Sequence, residues 1–216
     1  MTSSPNAPDI ASDAAHRRPA QPADELAKSK IVGTVPLTVR LFRPLAHVWL
    51  WAGGWKIEGD LPDIPKYVVV AAPHTTNWDL PNALSAGLHW GQRIHWMGKH
   101  TLFKWPFGGL MRWLGGVSID RTKNNNVVAQ MVDWFGTEER LVLVIPPSGT
   151  RSATVKWKTG FYHIAVGAGV PLALCFIDYR RRVIGMAQVF HPTGDFEADL
   201  AAIEAIYAPI SEWTKT

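Results

Sequence analysis

From residue 66 onward, short apolar runs alternate with segments in which apolar residues recur at every third and fourth position. The runs predict buried strands, and the periodic segments predict amphipathic helices. The predicted strands are about 66–72, 93–97, 117–119, 141–145, 171–177 and 183–190, and the predicted helices about 77–90, 106–114, 124–135, 159–168 and 196–207. Strands that alternate with helices predict a single α/β domain with a mostly parallel central sheet flanked by helices.

The first 55 residues follow a different pattern. Residues 1–30 have no hydrophobic period and are rich in Ser, Pro, Ala and Asp, which predicts a disordered tail rather than a signal peptide. Residues 31–55 are apolar and basic and predict a helical segment, but Arg40, Arg43 and two prolines argue against a spanning helix. This segment, with its three tryptophans, has two interpretations, a helix in a membrane interface and a helix packed on its own domain, and both can hold on different faces. Residues 56–216 are predicted to form the main domain.

Charge and cysteine content narrow the function classes. Lys and Arg total 22 against 18 Asp and Glu, a formal net charge of +4. This weak basic bias fits an anionic small molecule or an anionic membrane surface, and it is too small to predict nucleic-acid binding. The only cysteine, Cys175, lies in an apolar run and is expected to be buried. No Cys-based zinc site and no intrachain disulfide is possible, and no metal site is predicted.

The first candidate for chemistry is the pair His74 and Asp79. His74 follows a predicted strand and Asp79 falls in the first turn of the next helix, the edge where open α/β sheets bind ligands. There the carboxylate can hold one imidazole nitrogen and leave the other free as a base. Such a base can deprotonate a hydroxyl for direct attack on an activated acyl group. Taken alone, this spacing arises often by chance, with His74 ending a strand and Asp79 capping a helix.

Two further strand ends carry cationic side chains. Arg121 follows the strand at 117–119, and the loop after 141–145 holds Gly149, Thr150 and Arg151, whose backbone N–H groups and guanidinium can cradle an anion. Each alone also fits a surface salt bridge or a connecting loop. Together with His74 and Asp79 at one sheet edge, they predict a site for a hydroxyl substrate that bears an anion.

These segments, in this order, resemble the conserved blocks of the glycerophospholipid acyltransferase family, best known for the 1-acyl-glycerol-3-phosphate acyltransferases. The resemblance covers about residues 34–190. It is carried by His74-x4-Asp79, Gly116–Arg121, Gly149–Arg151 and Val170-Pro171, with further likeness at Gly98–Gly108 and Trp157–Tyr162. No single motif would be as specific as the ordered set.

The resemblance implies a reaction and a set of roles. An acyl-CoA or acyl-ACP thioester would donate a fatty acyl group to a lysophospholipid acceptor, 1-acyl-glycerol-3-phosphate, giving phosphatidic acid with no cofactor. His74 would be the general base and Asp79 would orient it. The implied substrate-binding residues are Arg121, Gly149, Thr150, Arg151, Lys99 and Ser148. The implied location is peripheral, on the cytoplasmic face of a membrane.

One residue departs from the family pattern. The third block normally reads Pro-Glu-Gly-Thr-Arg, and here Ser148 replaces the glutamate. Ser148 is not in a Gly-x-Ser-x-Gly elbow and is not interpreted as a nucleophile. This replacement leaves three alternatives open: another polar lipid acceptor, a slow enzyme, or a non-catalytic lipid-binding homologue. A thioesterase in which water replaces the acceptor is a separate alternative.

Two other patterns have two interpretations each. Phe107, Leu110, Met111 and Leu114 recur at helical spacing, which favours a core face over an acyl-chain groove. The run Arg180–Arg182 lies between two predicted strands. It predicts a solvated hairpin tip, or else a contact with anionic lipid head groups.

Overall fold

The computed structural model describes residues 37–72, 76–119, 127–147 and 157–214. Within these ranges the strands are β1 (Lys56–Glu58), β2 (Lys66–Ala71), β3 (Ile94–Lys99), β4 (Gly116–Ile119), β5 (Leu141–Ile145), β6 (Leu172–Asp178) and β7 (Val183–Phe190). The helices are α1 (Leu37–Ala52), α2 (Asp79–His89), α3 (Gly108–Trp113), α4 (Val127–Thr137), α5 (Gly160–Ala168) and α6 (Phe196–Thr214), with a 3₁₀ helix at His100–Phe103.

The seven strands form one sheet in the order β1-β7-β6-β2-β5-β3-β4. Strand β2 pairs in parallel with β5 and β6, and β3 pairs in parallel with β4 and β5. Only β7 and β1 run the other way, because β7 is antiparallel to β6 and β1 is parallel to β7. The carboxyl ends of β2, β3, β4, β5 and β6 therefore share one edge. The predicted α/β class with a mostly parallel sheet is confirmed.

The central strands are buried on both faces, as continuous apolar runs require. Every residue of β5 and β6 is buried. On one face, α4, α5 and α6 supply a core around Phe135, Phe161 and Ile203. On the other face, α2 and α1 cover the strands through Ala86 and Leu50. Cys175 is buried as predicted, and its burial raises the pKa of the thiol to about 12.

The apolar and basic N-terminal segment forms α1, which contains Pro44. One face of α1 packs on the domain through buried residues Val39, Ala46 and Leu50. The opposite face exposes apolar side chains and is called here the outer face of α1; it consists of Leu37, Leu41, Leu45 and Val48. Packing on the domain therefore leaves an apolar surface uncovered. No described helix is both long and apolar enough to cross a membrane.

The stripe near residue 110 departs from the core interpretation. Helix α3 is short, and Phe107 and Leu110 are 65% and 49% exposed, so these two residues are not core. The chain turns tightly before α3, where a Cβ on Gly108 would come within 2.1 Å of the Phe103 carbonyl oxygen. The first helical turn is therefore held against the 3₁₀ helix. Residues 1–36 lie outside the described ranges, so the predicted tail and domain boundaries stay predictions.

Candidate active site

Asp79 begins α2, at the edge of the sheet where β2 ends. Its side chain is only 5% exposed, although it is a carboxylate. The Thr76 backbone N–H donates to Oδ2 at 3.1 Å, and the Thr76 hydroxyl donates to Oδ1 at 3.2 Å. A negative charge in the first turn also interacts favourably with the helix dipole. These contacts hold the carboxylate in a defined orientation at the end of β2.

Tyr179 contributes a third hydrogen bond from a distant part of the chain. It directly follows β6, and its hydroxyl donates to Asp79 Oδ1 at 2.5 Å. Ala71 at the end of β2 pairs with Cys175, so β6 continues three residues past β2 and delivers Tyr179 above the end of β2. Burial and the adjacent Asp79 raise the pKa of Tyr179 to about 12. The hydroxyl is therefore protonated at neutral pH and acts as a donor.

Two more side chains extend this network to α1. Asn82, one turn into α2 and 2% exposed, donates from Nδ2 to the Tyr179 hydroxyl at 3.4 Å. The Trp49 indole N–H donates to Asn82 Oδ1 at 3.1 Å. The hydrogen bonds thus run from α1 through α2 to the residue after β6 and end on Asp79.

A cavity of about 350 Å³ opens beside Asp79. Its polar end is lined by Thr76, Asn77 and Asp79 at the start of α2. Lys99, at the carboxyl end of β3, also lines the cavity. The remaining walls are mostly apolar and include Leu80, Ala83, Trp96, Met97, Leu102 and Met111. An alkyl chain fits such a wall, and a polar reacting group fits the end near Asp79. Among the described residues, no cluster of His, Cys, Asp and Glu could hold a metal ion.

Of the predicted site residues, Asp79 and Lys99 are described, and both line this cavity. The others lie outside the described residues: His74, Arg121, Ser148, Gly149, Thr150 and Arg151. The strands that precede them are β2, β4 and β5, whose carboxyl ends share the sheet edge near Asp79. The roles assigned to those six residues stay predictions.

No motif in the sequence indicates Tyr179, Asn82 or Trp49 as site residues. Tyr179 does follow a predicted strand, as the chosen candidates do, but the adjacent run Arg180–Arg182 indicated a hairpin tip. That prediction is confirmed, because the run forms the turn between β6 and β7. There Arg181 forms an ion pair with Glu58 at 3.1 Å, and Arg182 donates to the Gly53 carbonyl oxygen at 2.6 Å.

A family model described as Acyltransferase matches residues 57–177, more than half of the chain. The chain belongs to the acyltransferase family. The resemblance drawn from the ordered motifs is thereby confirmed. The matched range includes Asp79 and Lys99 and ends two residues before Tyr179.

Curated relatives in this family are similar over part of their length. The 1-acyl-sn-glycerol-3-phosphate acyltransferase of Haemophilus influenzae is 28% identical over 160 residues, which cover 66% of this chain and 65% of the relative. The Escherichia coli protein of the same name is 33% identical over 129 residues, 55% of this chain and 51% of the relative. This acyltransferase therefore matches between about half and two thirds of the length of these relatives.

A solved structure has the same fold. The crystal structure of the 1-acyl-sn-glycerophosphate acyltransferase from Thermotoga maritima matches with a TM-score of 0.61 at 20% identity. The match covers 83% of this chain and 79% of that one. At this identity the likeness shows the fold of this acyltransferase alone.

Proposed function

We propose that this acyltransferase moves a fatty acyl group from an acyl-CoA or acyl-ACP thioester to the hydroxyl of 1-acyl-glycerol-3-phosphate. The product would be phosphatidic acid, and the reaction would be a step in phospholipid biosynthesis. The observation that carries the proposal is the position of Asp79, the acid of a His-x4-Asp motif. Hydrogen bonds from Thr76 and Tyr179 hold its carboxylate at the polar end of a largely apolar cavity. The names of the curated relatives supply the acceptor.

In the proposed reaction His74 is the general base and Asp79 orients its ring. His74 accepts the proton of the acceptor hydroxyl as the oxygen attacks the thioester carbonyl carbon. The new C–O ester bond forms, the C–S bond breaks, and the thiolate leaves with the proton that the imidazolium returns. The thioester is already activated, so the mechanism needs no enzyme nucleophile.

The cavity is proposed to bind the acyl chain. It lies on the α2 side of the sheet. A smaller cavity of about 30 Å³ between α2 and the strands shares four of its lining residues, Ala71, Ala83, Val144 and Ile177. Burying a methylene group there is worth about 0.8 kcal/mol. An acyl chain of ordinary length would therefore gain several kcal/mol from this wall while its carbonyl carbon stays at the polar end.

The acceptor phosphate is proposed to bind Arg121 and Arg151, with Gly149 and Thr150 completing an anion cradle and Ser148 beside it. Lys99 supports an anionic ligand, because its side chain is exposed at the polar end of the cavity. The serine at position 148 favours a second candidate, an acceptor hydroxyl on another polar lipid. A serine offers neither the charge nor the acceptor strength of the family glutamate. A non-catalytic lipid-binding role is the further alternative.

The outer face of α1 supports peripheral attachment to a membrane, which we propose to be its cytoplasmic face. Leu37, Leu41 and Leu45 are 78%, 68% and 62% exposed on this face. The Phe42 and Trp113 rings pack edge-on with centroids 4.8 Å apart and join α1 to α3. Trp105 and Phe107, which precede α3 in the chain, are also exposed. Apolar and aromatic side chains of this kind insert at the boundary between head groups and acyl chains.

Thiol release from acyl-CoA, with and without 1-acyl-glycerol-3-phosphate, tests the function. Release that depends on the acceptor, with phosphatidic acid identified by mass spectrometry, is the expected result. Release without acceptor would indicate a thioesterase, and release only with a different lysolipid would indicate the second candidate. If neither acyl-CoA nor acyl-ACP releases thiol with any acceptor, the result supports the non-catalytic lipid-binding alternative. His74→Ala is expected to abolish transfer.

A further inference from the structure

The contact between Tyr179 and Asp79 joins residues 100 positions apart in the chain. Tyr179 belongs to none of the motifs that point to acyl transfer, and it lies beyond the range matched by the family model. We propose that Tyr179 is a positioning residue for the acyl-transfer reaction, holding the Asp79 carboxylate in the orientation in which it aligns the His74 imidazole. This inference rests on the proposed function, since it needs Asp79 to act through His74.

The geometry at Asp79 favours positioning over simple packing. Oδ1 accepts hydrogen bonds from both the Tyr179 and Thr76 hydroxyls, and the two hydroxyl oxygens lie 3.0 Å apart. Oδ2 accepts the Thr76 backbone N–H. Thr76 anchors the carboxylate from the turn that directly precedes α2. The Tyr179 hydroxyl adds a fixed point from a different element, and two anchors from different elements restrict rotation about the side-chain torsions of Asp79.

Tyr179 is itself held in place. Its ring packs edge-on against Trp55 with centroids 5.1 Å apart, and it contacts the small core cluster around Leu50 and Ile177. Asn82 donates to its hydroxyl. A ring fixed by packing and a hydroxyl fixed by hydrogen bonds make a rigid donor, so the Asp79 orientation is set before substrate binds.

The hydrogen bond also has an electrostatic consequence. A donor on Oδ1 withdraws charge from the carboxylate, which then stabilises a neighbouring imidazolium less. Without that donor the carboxylate becomes more basic, and the apparent pKa of the base in the acid limb of the rate profile rises. A stronger donor at the same place shifts that limb toward lower pH. A purely structural tyrosine would move the limb in neither direction.

Tyr179→Phe removes only the hydroxyl. We expect kcat to fall about tenfold, both KM values to stay within about twofold, and the acid limb of the kcat–pH profile to move to higher pH. Replacing Tyr179 with 3-fluorotyrosine keeps the ring volume and strengthens the donor. We expect it to move the acid limb to lower pH with kcat close to wild type, and it tests the proposal even if the phenylalanine variant folds poorly.

Tyr162→Phe is the matched control. Tyr162 also donates to a buried aspartate, Asp199 Oδ2 at 2.7 Å, but on the opposite face of the sheet. Loss of the Tyr162 hydroxyl is expected to lower the melting temperature and to leave kcat and the acid limb of the kcat–pH profile unchanged. If Tyr179→Phe has wild-type kcat and the wild-type acid limb while His74→Ala and Asp79→Asn are inactive, the positioning role is wrong and the proposed function stands. If His74→Ala and Asp79→Asn retain full activity, the proposed mechanism fails and the inference fails with it.

Discussion

The Trp49 indole N–H on α1 donates a 3.1 Å hydrogen bond to the side-chain carbonyl oxygen of Asn82 on α2. Asn82 lies three residues from Asp79 on the same helix and is 2% exposed. The helix with the exposed apolar face is thereby joined to the helix that begins at the candidate catalytic acid. This bond fixes the side-chain amide of Asn82, whose nitrogen contacts the Tyr179 hydroxyl.

We predict that Trp49→Phe destabilises the protein by about 1–3 kcal/mol, because a buried carbonyl oxygen loses its donor. The measurement is the free energy of unfolding in urea. Trp51→Phe is the matched control, since Trp51 is on the same helix and is 81% exposed. Its free energy of unfolding should match wild type. Equal stability of both variants would show that the Trp49 contact contributes nothing.

Asp79→Asn is predicted to reduce kcat on the order of 10³-fold, as expected when the acid that orients a catalytic imidazole is neutralised. Asp199→Asn controls for the loss of a buried carboxylate, because Asp199 is 3% exposed and accepts hydrogen bonds from Tyr162 and Thr193. The control should lose stability and keep its kcat. Equal kcat losses in the two variants would assign the effect to general destabilisation. Thiol release at saturating donor and acceptor measures both.

Much of the fold could be predicted because its signals are local. Strands β5 and β6 are continuous apolar runs bounded by turn residues, and such runs lie buried in parallel sheets. Strand β1 was not predicted. It has three residues, Lys56–Glu58, with two exposed, and it exists because β7 offers a parallel partner at the sheet edge. No local pattern encodes that partner.

In the candidate site, too, residues with a local sequence signal could be predicted and residues that depend on distant contacts could not. Asp79 could be predicted because it is five residues from His74 and begins the helix after a strand. Tyr179 could not be predicted, because its contact with Asp79 depends on the register of β6 against β2 and on the extension of β6 beyond the end of β2. The exposure of Phe107 was also missed, because helical spacing marks an apolar face without saying whether another element covers it.

Ala83→Leu should shift donor preference toward shorter acyl chains. Ala83 lines both the 350 Å³ cavity and the smaller cavity next to it, so a larger side chain there shortens the apolar space. We expect kcat/KM for long-chain acyl-CoA to fall about tenfold more than for a chain shorter by two carbons, which follows from about 0.8 kcal/mol per excluded methylene. Ala202→Leu, at an exposed position on α6, is the control. A uniform loss across chain lengths would contradict binding of the chain along Ala83.

Leu41→Glu is predicted to weaken binding to vesicles that contain phosphatidylglycerol. Leu41 is on the outer face of α1, and losing its insertion while adding a negative charge should lower the partition coefficient at least about tenfold. Val166→Glu is the control, because Val166 is 42% exposed on α5, on the other side of the sheet. Cosedimentation measures both variants. If the two variants lose binding equally, charge alone accounts for the loss and the outer face of α1 does not insert.

Stability is predicted to fall as the pH drops below about 6.5, and His95 is one cause. Burial and the nearby Arg93 lower the pKa of His95, whose ring packs edge-on against Trp134 at 5.2 Å. Burial and the neighbouring His47 lower the pKa of His89 in the same direction. The unfolded chain therefore binds more protons than the folded one between the folded and unfolded pKa values. The free energy of unfolding therefore keeps its full value at pH values above the unfolded pKa and decreases as the pH falls below it. Urea unfolding between about pH 5 and 8 measures this slope, and His95→Gln should flatten it. An unchanged slope in that variant would exclude His95 as a contributor.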